Sequence, residues 1–365
     1  MNYILLFVYF LILSILEIKN RKINQFYWYV GILLMVLSSS FRAESGYDIE
    51  NYMNLYYGMD SLTAVMNSYM EIGYSIINYI FNSLGFNFYI MLLVINFFSI
   101  GIKAYVFEKT FSYKYIPLLL YSISFFFNYE NAQLRSGLAM ALCMLAIMNY
   151  TDKRKYIIIS LVASSIHISA AITFLIPFFD YFFTQISKSK IRLIIFVLIL
   201  LILSQVDLFS FFKIINDSIL HNEYLRIKLI EYQSSSIGIM SSTFIVRCLF
   251  LIGFYEFVIK NRNIKINKTL WMAYVFNIVF FLAFNSIPIL VERSTAYLRI
   301  YEFYFICLLI EDLVNKRKNN NLINNFKFNY LSYIFLAFFF VYYIYKFITT
   351  LIDPHYIISN FLIFK

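Results

Sequence analysis

Apolar runs separated by short polar breaks recur from one end of the 365-residue chain to the other. The runs at residues 3–16, 26–41, 88–107, 115–128, 134–150, 156–183, 191–204, 243–259, 270–284, 297–310 and 330–351 are dominated by Leu, Ile, Val, Phe, Tyr and Met. A helix needs ~20 apolar residues to cross a ~30 Å hydrocarbon core, and only helices or closed barrels satisfy every backbone group there. The pattern therefore predicts an all-α, polytopic integral membrane protein forming a single domain over residues 1–365. One stretch departs from it. Residues 71–85, E-I-G-Y-S-I-I-N-Y-I-F-N-S-L-G, have helical period but are short and polar, which predicts a re-entrant or interfacial helix. Residues 156–183 are long for one helix and short for two, so two crossings with a turn near His167, or one span kinked at Pro177, both fit.

Charge orients these runs. Most of the Lys and Arg fall in breaks, at Lys19–Lys22, Lys109 and Lys114, Lys153–Lys155, Lys188–Arg192, Lys260–Lys268 and Lys316–Lys327. The positive-inside rule puts such breaks on the cytoplasmic side, which requires an even number of crossings between neighbours. The result is about twelve crossings plus the dipping helix, with both termini extracytoplasmic. The acidic, Tyr-rich stretch at about residues 42–87 and the polar stretch at about 205–240 become outer loops. The first run has neither a basic leader nor a small-residue cleavage site and reads as a retained span.

Composition agrees with a lipid solvent. The chain is 61% hydrophobic and 14% charged, against about 25% charged in soluble domains, and its mean hydropathy is +0.72. The net charge of +10 sits in the breaks and makes no phosphate-tracking face, which excludes nucleic acid as a partner. Cys143, Cys248 and Cys307 all lie in apolar runs without CxxC or Cys/His spacing, and His167, His221 and His355 are the only histidines. No metal site or cofactor is expected.

The polar residues nearest the membrane sort onto the outer side. Arg42, Asp48, Glu71, Arg135, His167, Arg247, Arg293 and Arg299 form an arginine-rich vestibule in this topology, suited to a phosphorylated substrate because a guanidinium matches phosphate oxygens with a planar fork. Arg135 opens an otherwise apolar helix in E-N-A-Q-L-R-S-G-L-A, a costly position unless the charge is used, or unless it snorkels to the headgroups. Arg299 has Glu302 three residues on, consistent with a structural ion pair as well as with a substrate contact. Arg247 lies within an apolar run, and Arg293, in V-E-R-S-T, reads as a loop residue. His167, in A-S-S-I-H-I-S-A-A, fits either a helix-packing histidine or a general base. Asp48 and Glu50 make a D-x-E pair on the outer loop, and Tyr52 and Tyr74 are among the tyrosines that suit sugar stacking or an interfacial belt.

Four short motifs occur in order here: R-x-x-x-G-x-D-x-x-x-Y (Arg42, Gly46, Asp48, Tyr52), E-x-G-Y (Glu71, Gly73, Tyr74), L-R-x-x-L-A (Leu134, Arg135, Leu138, Ala139) and H-x-S-A (His167, Ser169, Ala170). In these the chain resembles the EpsG family of polysaccharide-biosynthesis membrane proteins, relatives of Wzy-type O-antigen and capsule polymerases. It departs at Ser136, where the family often has Gln, and at Ile166, where Phe is usual. The resemblance implies a glycosyltransferase of the bacterial cytoplasmic membrane that joins undecaprenyl-pyrophosphate-linked repeat units on its outer face. It also implies Arg135 on the pyrophosphate, His167 or Asp48 as base, and Arg42, Glu71, Tyr74, Arg247, Arg293 and Arg299 around the substrate. The implied partners are lipid-linked glycans and membrane lipids, with a flippase and a chain-length regulator. Two other functions fit the same scaffold: a GT-C-type transferase using a polyprenyl-phosphate sugar, and a transporter or flippase for lipid-linked sugars.

Overall fold

Hydropathy sets long helices, and short polar signals cut them. The computed structural model describes residues 3–20, 23–41, 48–206, 210, 213–214, 216–220, 242–260, 264–318 and 326–352, and every regular element among them is helical. The first eight helices are α1 (Tyr3–Asn20), α2 (Gln25–Ser40), α3 (Ile49–Gly58), α4 (Leu62–Met66), α5 (Ile72–Ser83), α6 (Phe88–Thr110), α7 (Tyr115–Ser124) and α8 (Leu134–Met148). Next come α9 (Lys153–Ile166), a short 3-10 turn (Ile168–Ala171), α10 (Ile172–Ile186) and α11 (Lys190–Leu203). Side-chain caps start several of them: the Asn24 Oδ1 accepts from Phe26 N at 2.9 Å, the Asn87 Oδ1 from Ile90 N at 2.9 Å and the Asp152 Oδ1 from Lys155 N at 3.2 Å.

Among the described residues, three helical stretches suffice by length and composition to cross a membrane: Phe88–Thr110, Ile168–Ile186 and Tyr330–Ile352. The other apolar helices are shorter, among them Gln25–Ser40, Tyr115–Ser124, Leu134–Met148 and Lys268–Phe284. At 1.5 Å per residue these shorter helices fall below the hydrocarbon thickness.

Packing groups the chain into two compact units, residues 1–171 with 303–365, and residues 172–302. In the first unit α8 is the centre. Ala139, Ala141, Cys143 and Ala146 on α8 are fully buried, and small side chains like these let α8 approach α6 and α9 closely. Before α8 the expected run at 115–128 stops at Ser124, and Phe127–Ala132 forms a wide turn in which Gln133 N reaches back five residues to the Asn128 carbonyl at 2.8 Å. A Cβ on Gly137 would collide with the Tyr129 carbonyl of that turn, so only glycine lets α8 lie this close to it.

In the second unit, two readings from sequence are corrected. Arg293 lies in the helix Pro288–Arg299, with proline at its start, and not in a loop. That helix ends at Arg299 and the next begins at Glu302, so the two residues do not share one helix face as their spacing suggested. Arg42, Gly46, His221, His355 and most of the expected outer loop at 205–240 lie outside the described residues.

A buried carboxylate caps α7. Glu17 of α1 accepts from Lys114 N at 2.9 Å and Tyr115 N at 3.0 Å, two donors that the helix itself leaves unused. Replacing Glu17 by Ala is expected to cost about 1–3 kcal/mol through these two unsatisfied donors, read as a lower melting temperature of the detergent-purified full chain. A wild-type melting curve would contradict this.

Candidate functional site

The site starts from a helix that stops. In α9, Ser164 and Ser165 turn their hydroxyls back onto the carbonyls of Ser160 and Val162, both at 2.8 Å, which competes with helix propagation. His167 then takes an extended conformation, φ −150° and ψ 122°, and closes the helix by donating its N–H to the Ala163 carbonyl at 3.0 Å. The break therefore falls at the turn expected near His167, and Pro177 lies further on, inside α10.

Glu71 closes that break from another element. It precedes the first turn of α5, the short amphipathic helix, and its Oε1 accepts from Ile168 N at 3.1 Å. The same oxygen lies 3.4 Å from Nδ1 of His167, while Oε2 accepts a hydrogen bond from Nη1 of Arg135 in an ion pair. One carboxylate thus ties three elements together: α5, the first turn of α8 and the α9 break. Burial pushes the Glu71 carboxyl upward more than any other single influence, but the Arg135 charge, His167 and the Ile168 N–H together hold it below the ordinary carboxylate range.

Close approach makes this possible. A Cβ on Gly73 would stand 2.7 Å from the Ser165 carbonyl oxygen, so the glycine of E-x-G-Y is what seats α5 against the end of α9. Tyr74, one residue on, is fully buried with its ring 5.9 Å from the Arg135 guanidinium. Tyr52 of α3 covers the guanidinium at 6.0 Å and meets Tyr74 edge-on at 5.7 Å. These two rings are spent on Arg135, worth about 0.5–2 kcal/mol each as cation–π partners, and are not open for sugar stacking. Asp48 immediately precedes α3, the helix that carries Tyr52.

Arg135 is not there for the helix. A cation in the first turn opposes the helix dipole, so its position is against local stability. Its Nε is buried and has no hydrogen-bond partner among the described residues. An unspent guanidinium donor beside a paired one is a place where an anionic oxygen can bind. His167 Nδ1 also lies 3.3 Å from the Ser169 N–H, so a proton on Nδ1 serves Glu71 and a bare Nδ1 serves Ser169.

Arg247, Arg293 and Arg299 belong to the second unit. Arg247 is buried, donates from Nη1 to the Thr295 hydroxyl at 3.3 Å and sits 4.7 Å from the Phe281 ring. Arg299 and Arg247 are both within electrostatic reach of the Tyr274 phenol, which donates to Glu302 Oε1 at 3.4 Å. Arg293, two residues before Thr295 in the same helix, is half-buried.

Sequence reasoning passed over Lys103. It lies fully buried in α6, its ammonium 2.5 Å from Glu130 Oε1, and Glu130 also accepts from Tyr121 at 2.5 Å. The signal was present: a lysine inside the apolar run at 88–107 is an intramembrane charge and calls for a partner.

Apolar helices around a half-buried Glu–Arg–His cluster suit a helical membrane protein. The chain belongs to the EpsG family, which it matches over residues 25–362. Membership points to polysaccharide biosynthesis, with a polymerase or glycosyltransferase-like activity. No curated protein and no solved structure matches the chain.

Gly73 gives a direct check on the site. Gly73→Val is expected to overpack α5 against Ser165 and cost about 1–3 kcal/mol, lowering the melting temperature of the full chain. Gly58→Ala, with nothing within 4 Å of the added carbon, is expected to stay within about 0.5 kcal/mol of wild type. Equal effects at the two positions would show that the α5–α9 contact is not tight.

Proposed function

We propose that this protein is a polysaccharide polymerase that joins undecaprenyl-pyrophosphate-linked repeat units at the outer face of the bacterial cytoplasmic membrane. The topology in this reading has about twelve crossings, with α5 dipping beside the site. The observation that carries it is the single Glu71 carboxylate shared by Arg135 and His167, next to the Arg135 Nε, which has no hydrogen-bond partner among the described residues.

In this reading His167, with Nδ1–H turned to Glu71, uses Nε2 to take the proton of the acceptor sugar hydroxyl. The freed oxygen attacks the anomeric carbon of the donor chain, a new C–O bond forms, and the bond from that carbon to the pyrophosphate oxygen breaks. The electron pair leaves with undecaprenyl pyrophosphate, whose growing charge is met by the Arg135 guanidinium. Glu71 has two roles, setting the plane of the Arg135 fork and the tautomer of His167. In this reading Arg42, Arg247, Arg293 and Arg299 are further candidate phosphate ligands. Asp48, another carboxylate of the loop, is the other candidate base. Lipid-linked glycans and membrane lipids are the ligands, and a flippase and a chain-length regulator are the partner proteins of such a polymerase.

The test replaces the fork with a point charge. Arg135→Lys is expected to accumulate in membranes as wild type does and to lower elongation of lipid-linked repeat units about 100-fold or more, read as loss of the product ladder. His167→Gln should lose about 10²-fold or more in the same assay. A full-length polymer from either variant would contradict the role given to that residue.

A further inference from the structure

We propose that Lys103 and Glu130 are positioning residues for Arg135, holding the first turn of α8 in the place where the guanidinium can serve the substrate. The inference rests on the reading of Arg135 as the phosphate-binding residue.

All three protons of the Lys103 ammonium are directed: to Ser99 Oγ at 2.6 Å, to Glu130 Oε1 at 2.5 Å and to the Gly137 carbonyl at 2.7 Å. Glu130 Oε1 is held in turn by Ser99 at 3.0 Å and Tyr121 at 2.5 Å. Lys103, Ser99 and Tyr121 are fully buried and Glu130 is 1% exposed, so no substrate touches the group and it acts through something else.

What it grips is the chain on both sides of Arg135. Glu130 lies in the wide turn that hands the backbone to α8 through Gln133. Gly137, two residues after Arg135, is held by Lys103 at its carbonyl and pressed against the Tyr129 carbonyl of the same turn. Lys103 therefore anchors the segment before Arg135 and the segment after it to one point on α6. A buried ion pair is a poor source of net stability, since an apolar pair of similar volume serves as well or better. It is a good source of a fixed geometry. Misplacing a catalytic group by about 1 Å can lower a rate about 100-fold, which is the scale on which this clamp matters.

The test separates geometry from folding. Lys103→Met and Glu130→Gln alone each leave a buried charge unmatched and are expected to reduce the amount of protein in the membrane. The double variant K103M/E130M removes both charges and is expected to accumulate and melt as wild type does. Its elongation rate should nevertheless fall about 10-fold to 100-fold in kcat, with KM for the lipid-linked oligosaccharide isolated from cells lacking the protein changed less than about two-fold. Normal kcat in a well-folded double variant would overturn the inference. If the double variant does not accumulate, S99A/Y121F decides, because it keeps both charges and strips Glu130 of two donors: lower kcat at wild-type yield supports the clamp, and unchanged kcat overturns it. R135K is assayed beside them. Full activity in R135K sinks the reading of Arg135 itself, whereas an inactive R135K with a normal K103M/E130M sinks only the positioning role.

Discussion

The Glu71 carboxylate is the contact on which the site depends. It faces a backbone N–H that a broken helix cannot satisfy, the imidazole of the residue before it, and a guanidinium from the start of α8. Without it Ile168 N–H loses its acceptor, Arg135 loses its only ion-pair partner among the described residues, and His167 loses the group that selects its proton position. A carboxylate held below its ordinary range stays charged at neutral pH, so the pairing persists where the protein works.

That contact needs three local compromises. The serines of α9 weaken the helix so that it ends at His167, Gly73 gives up a side chain so that α5 can reach the end, and Arg135 sits against the dipole of its own helix. Each is unfavourable locally and useful jointly, which is the pattern expected of a functional site. The Lys103–Glu130 pair belongs to the same economy: it secures the far side of α8, where Gly137 again allows a contact that no other residue would.

Much of this was legible in the sequence. The helical class followed from the apolar runs and the short helix at 71–85 from its polarity, while the length of the run at 156–183 allowed either a turn near His167 or a kink at Pro177. The meeting of Glu71, Arg135 and His167 was visible only as motif order and sidedness, because the distance between elements is set by glycine contacts that hydropathy does not register. Arg293 and Arg299 were misread for a related reason: the Pro288 start and the interruption after Arg299 divide a stretch whose composition looks continuous. Lys103 was missed because it was averaged into an apolar run, although a lone charge in such a run is the stronger signal.

The most direct test of the central claim is a density map of the full-length protein with polyprenyl pyrophosphate bound in a lipid nanodisc. The account predicts phosphate density within hydrogen-bond reach of Arg135 Nε, with Glu71 still joined to Arg135 and His167 beside the sugar-bearing end. Phosphate bound elsewhere, with the Glu71, Arg135 and His167 side chains closed on themselves and out of its reach, would contradict it.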